Sequence, residues 1–321
     1  MKIITFNDIV DLKICPADCF EWAEHMIKNK NQAILPPKIS MKPMAGVFCN
    51  VMPSIIPGTD NNTWGGVKVV TRYPDRVPSL ESRILLMDAD SGEFLALMDG
   101  TWITTMRTGA VAAHSIMLFA KKNFSTIGMM GLGNVTRSTL IILADKIKNR
   151  DLNIKLLRYK SQEEDMARRF ACYDNLHFSF VDSPEEMVKG SDVVISGATY
   201  LPNDVCDDRF FDKGVLVQPI HTLGFTNCDL FFDKVFADDL GHVQHFKNFN
   251  KFKSFAEVCD VVNEKKPGRE NDEERILAYN IGISVHDINF AASIYKLMQN
   301  SGRLELLQDV DLKDPTEKFW V

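Results

Sequence analysis

The feature that most constrains this chain is a short glycine motif that separates an apolar run from a helical pattern, within residues 125–137. The apolar run ends at Gly131-Leu132-Gly133, and apolar residues then recur at helical spacing. A strand, a tight glycine turn and a helix in this order open a dinucleotide-binding unit. Gly131 is predicted to permit the turn, and Gly133 to let the backbone approach a pyrophosphate at the helix N-terminus. The third small position of the motif holds Thr136, so the motif alone fits an ordinary turn equally well.

The segments after the motif decide between these two interpretations. Short apolar strands are predicted at 153–159, 177–181, 192–196, 214–217 and 234–237, with helices between them. Such alternation is typical of a parallel sheet that is covered by helices on both faces. It therefore favours a dinucleotide site, whose predicted contacts are Gly131, Gly133, Asn134 and Val135, with Ala198 and Thr199 after the fourth strand.

The length of the chain predicts two domains, because 321 residues exceed the usual size of a single hydrophobic core. We predict an α/β protein with a Rossmann-type, doubly wound parallel sheet over residues 123–283. Extended segments and two helices precede the motif, and a helix predicted at 285–298 returns to them. Residues 1–122 and 284–321 are accordingly predicted to form a mixed α+β domain.

Composition excludes several classes of function. A formal charge of −6 argues against nucleic acid or an anionic membrane as the main partner. No apolar run has transmembrane length, and the seven scattered cysteines fit reduced thiols in a cytoplasm. His242 and His245, with Asp238 and Asp239 nearby, could suggest a metal ion, but no second cluster supports one. We expect a cytoplasmic protein without a metal site.

Two cations occupy positions that need an explanation. Lys68 alternates with Val67 and Val69 on a predicted strand, so it lies on the face opposite the valines, and an outward, solvated lysine is the simple alternative. Arg107 lies near the start of a helix predicted at 101–121, where the helix dipole disfavours a cation. Arg107 therefore either reaches an anion or bends to solvent.

The motifs taken together resemble the ornithine cyclodeaminase/mu-crystallin family, over roughly residues 35 to 298. The matching segments occur in the family's order: Gly66-Val67-Lys68-Val69-Val70, Val77-Pro78-Ser79, Leu85-Leu86, Leu95-Ala96-Leu97-Met98-Asp99-Gly100, Arg107-Thr108-Gly109-Ala110, Gly131-Leu132-Gly133, residues 185–194 and residues 279–287. The last of these resembles the family's segment on the nicotinamide side and contains Gly282.

The resemblance implies a homodimer in which strands of the first domain form the interface and the substrate lies between the two domains. It also implies hydride transfer between a nicotinamide and the α-carbon of a small amino or imino acid. Arg107 matches the family's carboxylate-binding arginine, whose planar fork suits a bidentate grip. Lys68 matches the family's active-site lysine, which contacts the substrate and acts in proton transfer.

Two positions depart from the family's pattern. Its other carboxylate-binding arginine falls at Lys38, which keeps the charge but loses the bidentate geometry. The acid that cyclodeaminases use for the side-chain amine should follow the fifth strand, where residues 218–225 contain no Asp or Glu. His221 is the predicted replacement, as a substrate contact or as a proton donor; the alternative is a histidine that lies behind the site. We therefore predict an imino-acid reductase or amino-acid dehydrogenase; a cyclodeaminase-like lyase and a non-catalytic partner subunit are the alternatives.

The cofactor is predicted from the end of the second strand of the dinucleotide unit. An acidic residue there would bind the ribose hydroxyls of NAD. This chain instead has Arg158, Lys160 and Ser161, two cations and a hydroxyl that suit a 2′-phosphate. The sequence thus predicts NADP in preference to NAD.

Overall fold

The computed structural model describes residues 1–59, 62–198, 201, 203–220 and 231–312. The first sheet is built from six strands of the N-terminal part: β1 Lys2–Ile4, β2 Ile39–Met41, β3 Phe48–Pro57, β4 Thr63–Arg72, β5 Leu80–Asp88 and β6 Phe94–Asp99. Their order is β1-β6-β5-β4-β3-β2. β1 pairs with β6 in parallel, and the other pairs are antiparallel.

Three helices accompany this sheet: α1 Phe6–Val10, α2 Pro16–Asn29 and α3 Thr101–Phe119. Pro16 stands at the first position of α2, where its missing N–H costs no hydrogen bond. α3 is buried along most of its length, because it packs against α2 on one side and against the helix of the glycine motif on the other. It thereby links the first sheet to the second.

The second sheet contains eight parallel strands in the described part of the chain: β7 Thr126–Met130, β8 Leu152–Leu157, β9 Leu176–Val181, β10 Val193–Ser196, β11 Leu216–Pro219, β12 Lys234–Ala237, β13 Phe255–Glu257 and β14 Ile276–Tyr279. Helices α4 Asn134–Lys146, α5 Gln162–Arg169, α6 Pro184–Val188, α7 Leu240–Val243 and α8 Val258–Val262 alternate with them. The strand order β9-β8-β7-β10-β11 is that of a dinucleotide-binding sheet, and the predicted fold class is confirmed.

Two strands of this sheet, β13 and β14, were not predicted. β14 lies between β11 and β12, and all four of its residues are buried. A strand that is buried on both faces has no alternation of apolar and polar residues. β14 is also short and follows a polar stretch, so the sequence gives little indication of a strand there.

The last long helix, α9 Ser284–Asn300, follows β14 but packs against β3, β4 and β5 of the first sheet. Its buried residues include Val285, Ile288 and Phe290, so apolar contact holds it on the sheet. The C-terminal helix α9 thus completes the hydrophobic core of the N-terminal sheet. Among the described residues, no helix combines the length and the apolar character needed to cross a bilayer.

Candidate active site

The glycine turn after β7 has the geometry that the motif predicts. Gly131 has a φ of +68°, and a Cβ there would lie 2.3 Å from the amide nitrogen of Ala198. Only glycine fits so close to the end of β10. Gly133 caps the N-terminus of α4, and its N–H donates to the Gly131 carbonyl at 2.8 Å. A Cβ on Gly133 would meet no atom within 4 Å, so the backbone at this point borders open space.

Thr136, the irregular third position of the motif, serves the turn directly. Its hydroxyl donates to the Gly131 carbonyl at 2.7 Å, and the side chain is buried. A Cβ on Gly197 would lie 2.1 Å from the Thr136 hydroxyl oxygen, so the threonine fills the space beside that glycine. The hydrogen bond and this packing hold the turn, and the substitution does not disrupt it.

A cleft of about 760 Å³ opens beside this turn. Its walls come from the start of α4 and from α5 with the residues after it: Leu132, Gly133, Asn134, Arg137, Ile141, Gln162, Asp165, Arg169, Phe170, Cys172 and Tyr173. The first N–H groups of a helix have no partner within the helix and attract anions. Open space at Gly133 beside the start of α4 therefore fits the pyrophosphate of a dinucleotide.

The predicted specificity residues lie in the loop after β8, beside this cleft. Arg158 pairs with Asp182 at 3.1 Å and more distantly with Glu163, and its guanidinium lies over the Phe180 ring. Lys160 and Ser161 adopt φ values of 53° and 57°. The cleft itself is lined by Gln162 and by Arg137, a residue that the sequence did not single out.

Arg137 spans the distance from the glycine turn to the first residue of α5, which directly follows the loop after β8. Its Nε donates to the Leu132 carbonyl at 3.0 Å, and Nη2 donates to the Gln162 carbonyl at 3.4 Å. Its Nη1 contacts Asp165 at 2.5 Å. An arginine one helical turn after a Gly-x-Gly motif was the available signal for this contact.

Lys68 and Arg107 meet at a single buried carboxylate, that of Asp287. The Lys68 Nζ lies 2.7 Å from Asp287 Oδ2, and the Arg107 Nε donates to Asp287 Oδ1 at 2.9 Å. Asp287 is 0% exposed and Lys68 is 1% exposed, so water does not screen these charges. Lys68 lies on β4, Arg107 on α3 and Asp287 on α9.

This arrangement settles two questions that the sequence left open. The face of β4 with Lys68 is the buried one, whereas Val67 and Val69 lie on the more exposed face. The alternative of an outward, solvated Lys68 is therefore wrong. Of the two predicted alternatives for Arg107, an anion or solvent, the structure shows the anion. The protein itself supplies it, as the carboxylate of Asp287.

Burial changes the proton affinity of both lysines. Desolvation, reinforced by the neighbouring Arg107 cation, lowers the pKa of Lys68 to about 7, although the Asp287 carboxylate opposes the shift. Desolvation and Arg107 likewise lower the pKa of Lys38 to about 8. Lys38 is half-buried just before β2 and has no protein hydrogen-bond or ion-pair partner among the described residues. A lysine of this kind can give up or accept a proton near neutral pH.

Gly282, predicted to contact the cofactor, lies against Arg107. It has a φ of +79°, and a Cβ there would lie 2.6 Å from Arg107 Nη1. Its N–H donates to Asp238 Oδ2 at 2.9 Å, and the Asn280 side chain donates to Asp238 Oδ1 at 2.7 Å. Asp238 is buried, and desolvation raises its pKa. The residues after β12 and β14 thus hold the surface on which the guanidinium lies.

The possible metal cluster is occupied by ion pairs instead. His242 Nδ1 lies 2.7 Å from Asp239, whose other carboxylate oxygen is 2.8 Å from the Lys30 Nζ. Lys30 also pairs with Glu257 at 2.7 Å. No three His, Cys, Asp or Glu side chains of the described part are placed to hold a metal ion.

Two predicted site residues, His221 and Thr199, lie outside the described residues. Conversely, the sequence did not assign roles to Asp287 and Asp238. The signal for Asp287 was a carboxylate within the apolar run 283–294, where an unpaired charge would be unfavourable. The described geometry offers a cationic grip for a carboxylate beside a lysine that titrates near neutrality.

Known proteins are similar to this chain in fold and, more distantly, in sequence. Residues 3–302 match the model of the ornithine cyclodeaminase/mu-crystallin family. A Delta(1)-pyrroline-2-carboxylate reductase from Bacillus cereus is 28% identical over 277 residues, which cover 78% of this chain and 82% of the reductase.

Two solved structures have the same fold. The Delta(1)-pyrroline-2-carboxylate reductase of Thermococcus litoralis, in complex with NADH and L-proline, superposes with a TM-score of 0.81 at 23% identity, over 94% of this chain and 98% of the other. An archaeal alanine dehydrogenase dimer with bound NAD gives 0.83 at 20% identity, over 98% and 99%. With the family model covering nearly the whole sequence, this protein belongs to the ornithine cyclodeaminase/mu-crystallin family.

Proposed function

We propose that this protein is an NAD(P)-dependent oxidoreductase that transfers hydride at the α-carbon of a small α-imino or α-amino acid. The observation that carries the proposal is the pair of buried cations, Lys68 and Arg107, on the single carboxylate of Asp287. The Bacillus cereus relative, a reductase of a cyclic imino acid, supports the same reaction class.

Arg107 and Lys38 are the proposed grip on the substrate carboxylate. Asp287 contacts only Nε of the Arg107 guanidinium, and among the described residues Nη1 and Nη2 have no protein acceptor. That edge of the fork can bind a carboxylate in bidentate fashion. Lys38 adds a second positive charge. Burial and the repulsion of the Arg107 cation disfavour this charge, so a bound anion would stabilise it.

Lys68 is the proposed proton donor and acceptor. The nicotinamide that the fold implies would supply the hydride in reduction and accept it in oxidation. Reduction of an imine also adds a proton at nitrogen, and the Lys68 ammonium can deliver it. With a pKa of about 7, both protonation states of Lys68 are populated at neutral pH, as efficient general acid–base catalysis requires.

The alternatives have weaker support. A cyclodeaminase-like lyase needs an acid for the second amine of its substrate, and residues 218–225 contain none. A non-catalytic subunit would have no need to keep two charged side chains buried at Asp287, since unpaired or redundant buried charges are unfavourable. We therefore favour the oxidoreductase.

NADP is the proposed cofactor, with NAD as the alternative. Cations cluster at the end of β8. In this fold the ribose that carries the 2′-OH of NAD or the 2′-phosphate of NADP is recognised there. Arg158 and Lys160 lie in the loop, and Arg137 approaches it from α4. Glu163, one of the acids near this loop, is buried and accepts the N–H of Tyr159 at 3.0 Å, so it is engaged with the loop itself.

A homodimer is proposed from the outer face of the first sheet. On the side away from α9, apolar side chains form two rows across neighbouring strands. The rows are Ile39, Val51 and Val69, and Pro53, Val67, Leu85 and Leu97. Exposed apolar patches on a sheet mark protein interfaces. The related archaeal alanine dehydrogenase is a dimer, which supports a second copy of this chain as the occupant.

Turnover tests the reaction class. The purified protein should oxidise NADPH or NADH with cyclic imino acids, or with 2-oxo acids plus an amine, as followed by loss of absorbance of the reduced nicotinamide. Lys68→Ala should lower kcat by about 10²- to 10⁴-fold, because proton transfer is lost. Near-normal turnover of this variant would refute the mechanism. Ammonia release from ornithine without net absorbance change would instead identify a lyase.

Cofactor preference is tested by titrating the wild-type protein with NADPH and NADH and following nicotinamide fluorescence. We expect NADPH to bind more tightly, because Arg137, Arg158 and Lys160 place positive charge near its 2′-phosphate. Raising the salt concentration should weaken NADPH binding more than NADH binding. Tighter binding of NADH would contradict the NADP proposal and leave the reaction class intact.

Light scattering after gel filtration tests the dimer. The wild type should have the mass of two chains, and a double variant Val69→Lys/Leu97→Lys should be monomeric because two charges would enter the interface. Met117→Lys is the matched control. Met117 is 39% exposed, close to the 38% of Val69 and the 37% of Leu97, but it lies on α3 and outside the proposed interface. A monomeric wild type would contradict the proposal.

A further inference from the structure

The anion among the basic residues of the cofactor cleft is Asp165, on α5. Its carboxylate contacts three guanidinium groups, those of Arg137 at 2.5 Å, Arg169 at 2.9 Å and Arg168. One negative charge thus faces three positive charges, and the cluster keeps a net positive charge.

This cluster belongs to the cleft and not to a remote surface. Asp165, Arg137 and Arg169 line the same cleft as Gly133, the residue whose backbone borders the open space. Arg137 connects the glycine turn with the start of α5, which directly follows the loop after β8, through its contacts to the carbonyls of Leu132 and Gln162. In a dinucleotide-binding sheet, the end of the second strand is where the ribose 2′ position is recognised.

We propose that Asp165 is a specificity-determining residue: an internal anion that occupies arginines which would otherwise bind a 2′-phosphate, and so limits the preference for NADPH over NADH. The inference rests on the proposed nucleotide-binding function. Guanidinium groups bind carboxylates and phosphates with the same fork, so the two anions compete for Arg137 and Arg169. NADH has no 2′-phosphate and does not enter this competition.

Protonation cannot remove the competitor near neutral pH. The hydrogen bond from Arg137, with further contributions from Arg169, lowers the pKa of Asp165 to about 2. The carboxylate is therefore charged whenever the nucleotide arrives. For a 2′-phosphate to reach these arginines, it must displace Asp165 or bind against its repulsion.

A purely structural role for Asp165 has a different signature. Asp165 also joins α5 to α4 through Arg137, and loss of such a tether would weaken both nucleotides equally. The ratio of the two dissociation constants separates these cases, because any general loss of affinity cancels in the ratio.

The test is a fluorescence titration of NADPH and NADH with the wild type, Asp165→Asn and Glu164→Gln. Asp165→Asn keeps the shape and removes the charge; Glu164→Gln removes the same charge from the adjacent, exposed position of α5. We expect the preference for NADPH over NADH to increase by about tenfold in Asp165→Asn, from the lost repulsion, and to stay unchanged in Glu164→Gln. An unchanged ratio in Asp165→Asn, or an equal increase in both variants, would overturn the inference.

A second variant keeps the inference testable if Asp165→Asn does not fold. Arg169 is exposed, so Arg169→Gln should fold, and it should weaken NADPH binding while leaving NADH binding unchanged. Equal effects on both nucleotides would overturn the inference. A wild type that binds neither nucleotide would overturn the proposed function together with this inference, whereas binding with an unaltered ratio overturns the inference alone.

Discussion

The structure depends on one buried carboxylate, that of Asp287, which neutralises part of the charge on Lys68 and Arg107. Removing one partner from a buried ion pair costs about 3–5 kcal/mol, because the other charge is left without solvation. The three groups lie on β4, α3 and α9, so the C-terminal helix must return to the N-terminal sheet for the pair to form. The return of α9 to the first sheet is therefore required both for the fold and for the charged site.

The second sheet is coupled to this carboxylate through Arg107. Asp238, after β12, accepts hydrogen bonds from Asn280 and from the N–H of Gly282, after β14. Gly282 in turn lies against the guanidinium, and no side chain would fit there. The dinucleotide-binding sheet thus positions the group that we propose to hold the substrate carboxylate. Such coupling would hold a bound substrate and nucleotide in one frame, as hydride transfer between them requires.

Much of this organisation could be predicted from the sequence, because it rests on local patterns. The Gly131 turn, the alternating strands and helices, and the cations at Lys68 and Arg107 all have signals within a few residues. The carboxylate of Asp287 stands out in its apolar run, but its partners could not be predicted, since they are 180 or more positions away in the chain. β14 was missed because burial on both faces removes periodicity, and Arg137 because its contact to Asp165 joins two helices.

Burial and Arg107 lower the pKa of Lys68, and the Asp287 carboxylate opposes this shift and so keeps the lysine able to hold a proton near neutral pH. The most direct measurement is the pKa of Lys68 in the folded protein, obtained by NMR titration of isotope-labelled lysine in the wild type and in Asp287→Asn. We expect a titration near pH 7 in the wild type and a lower pKa in the variant, because the opposing anion is gone while burial and Arg107 remain. A wild-type titration close to the ordinary lysine pKa of about 10.4, or a pKa that does not respond to Asp287→Asn, would contradict this expectation.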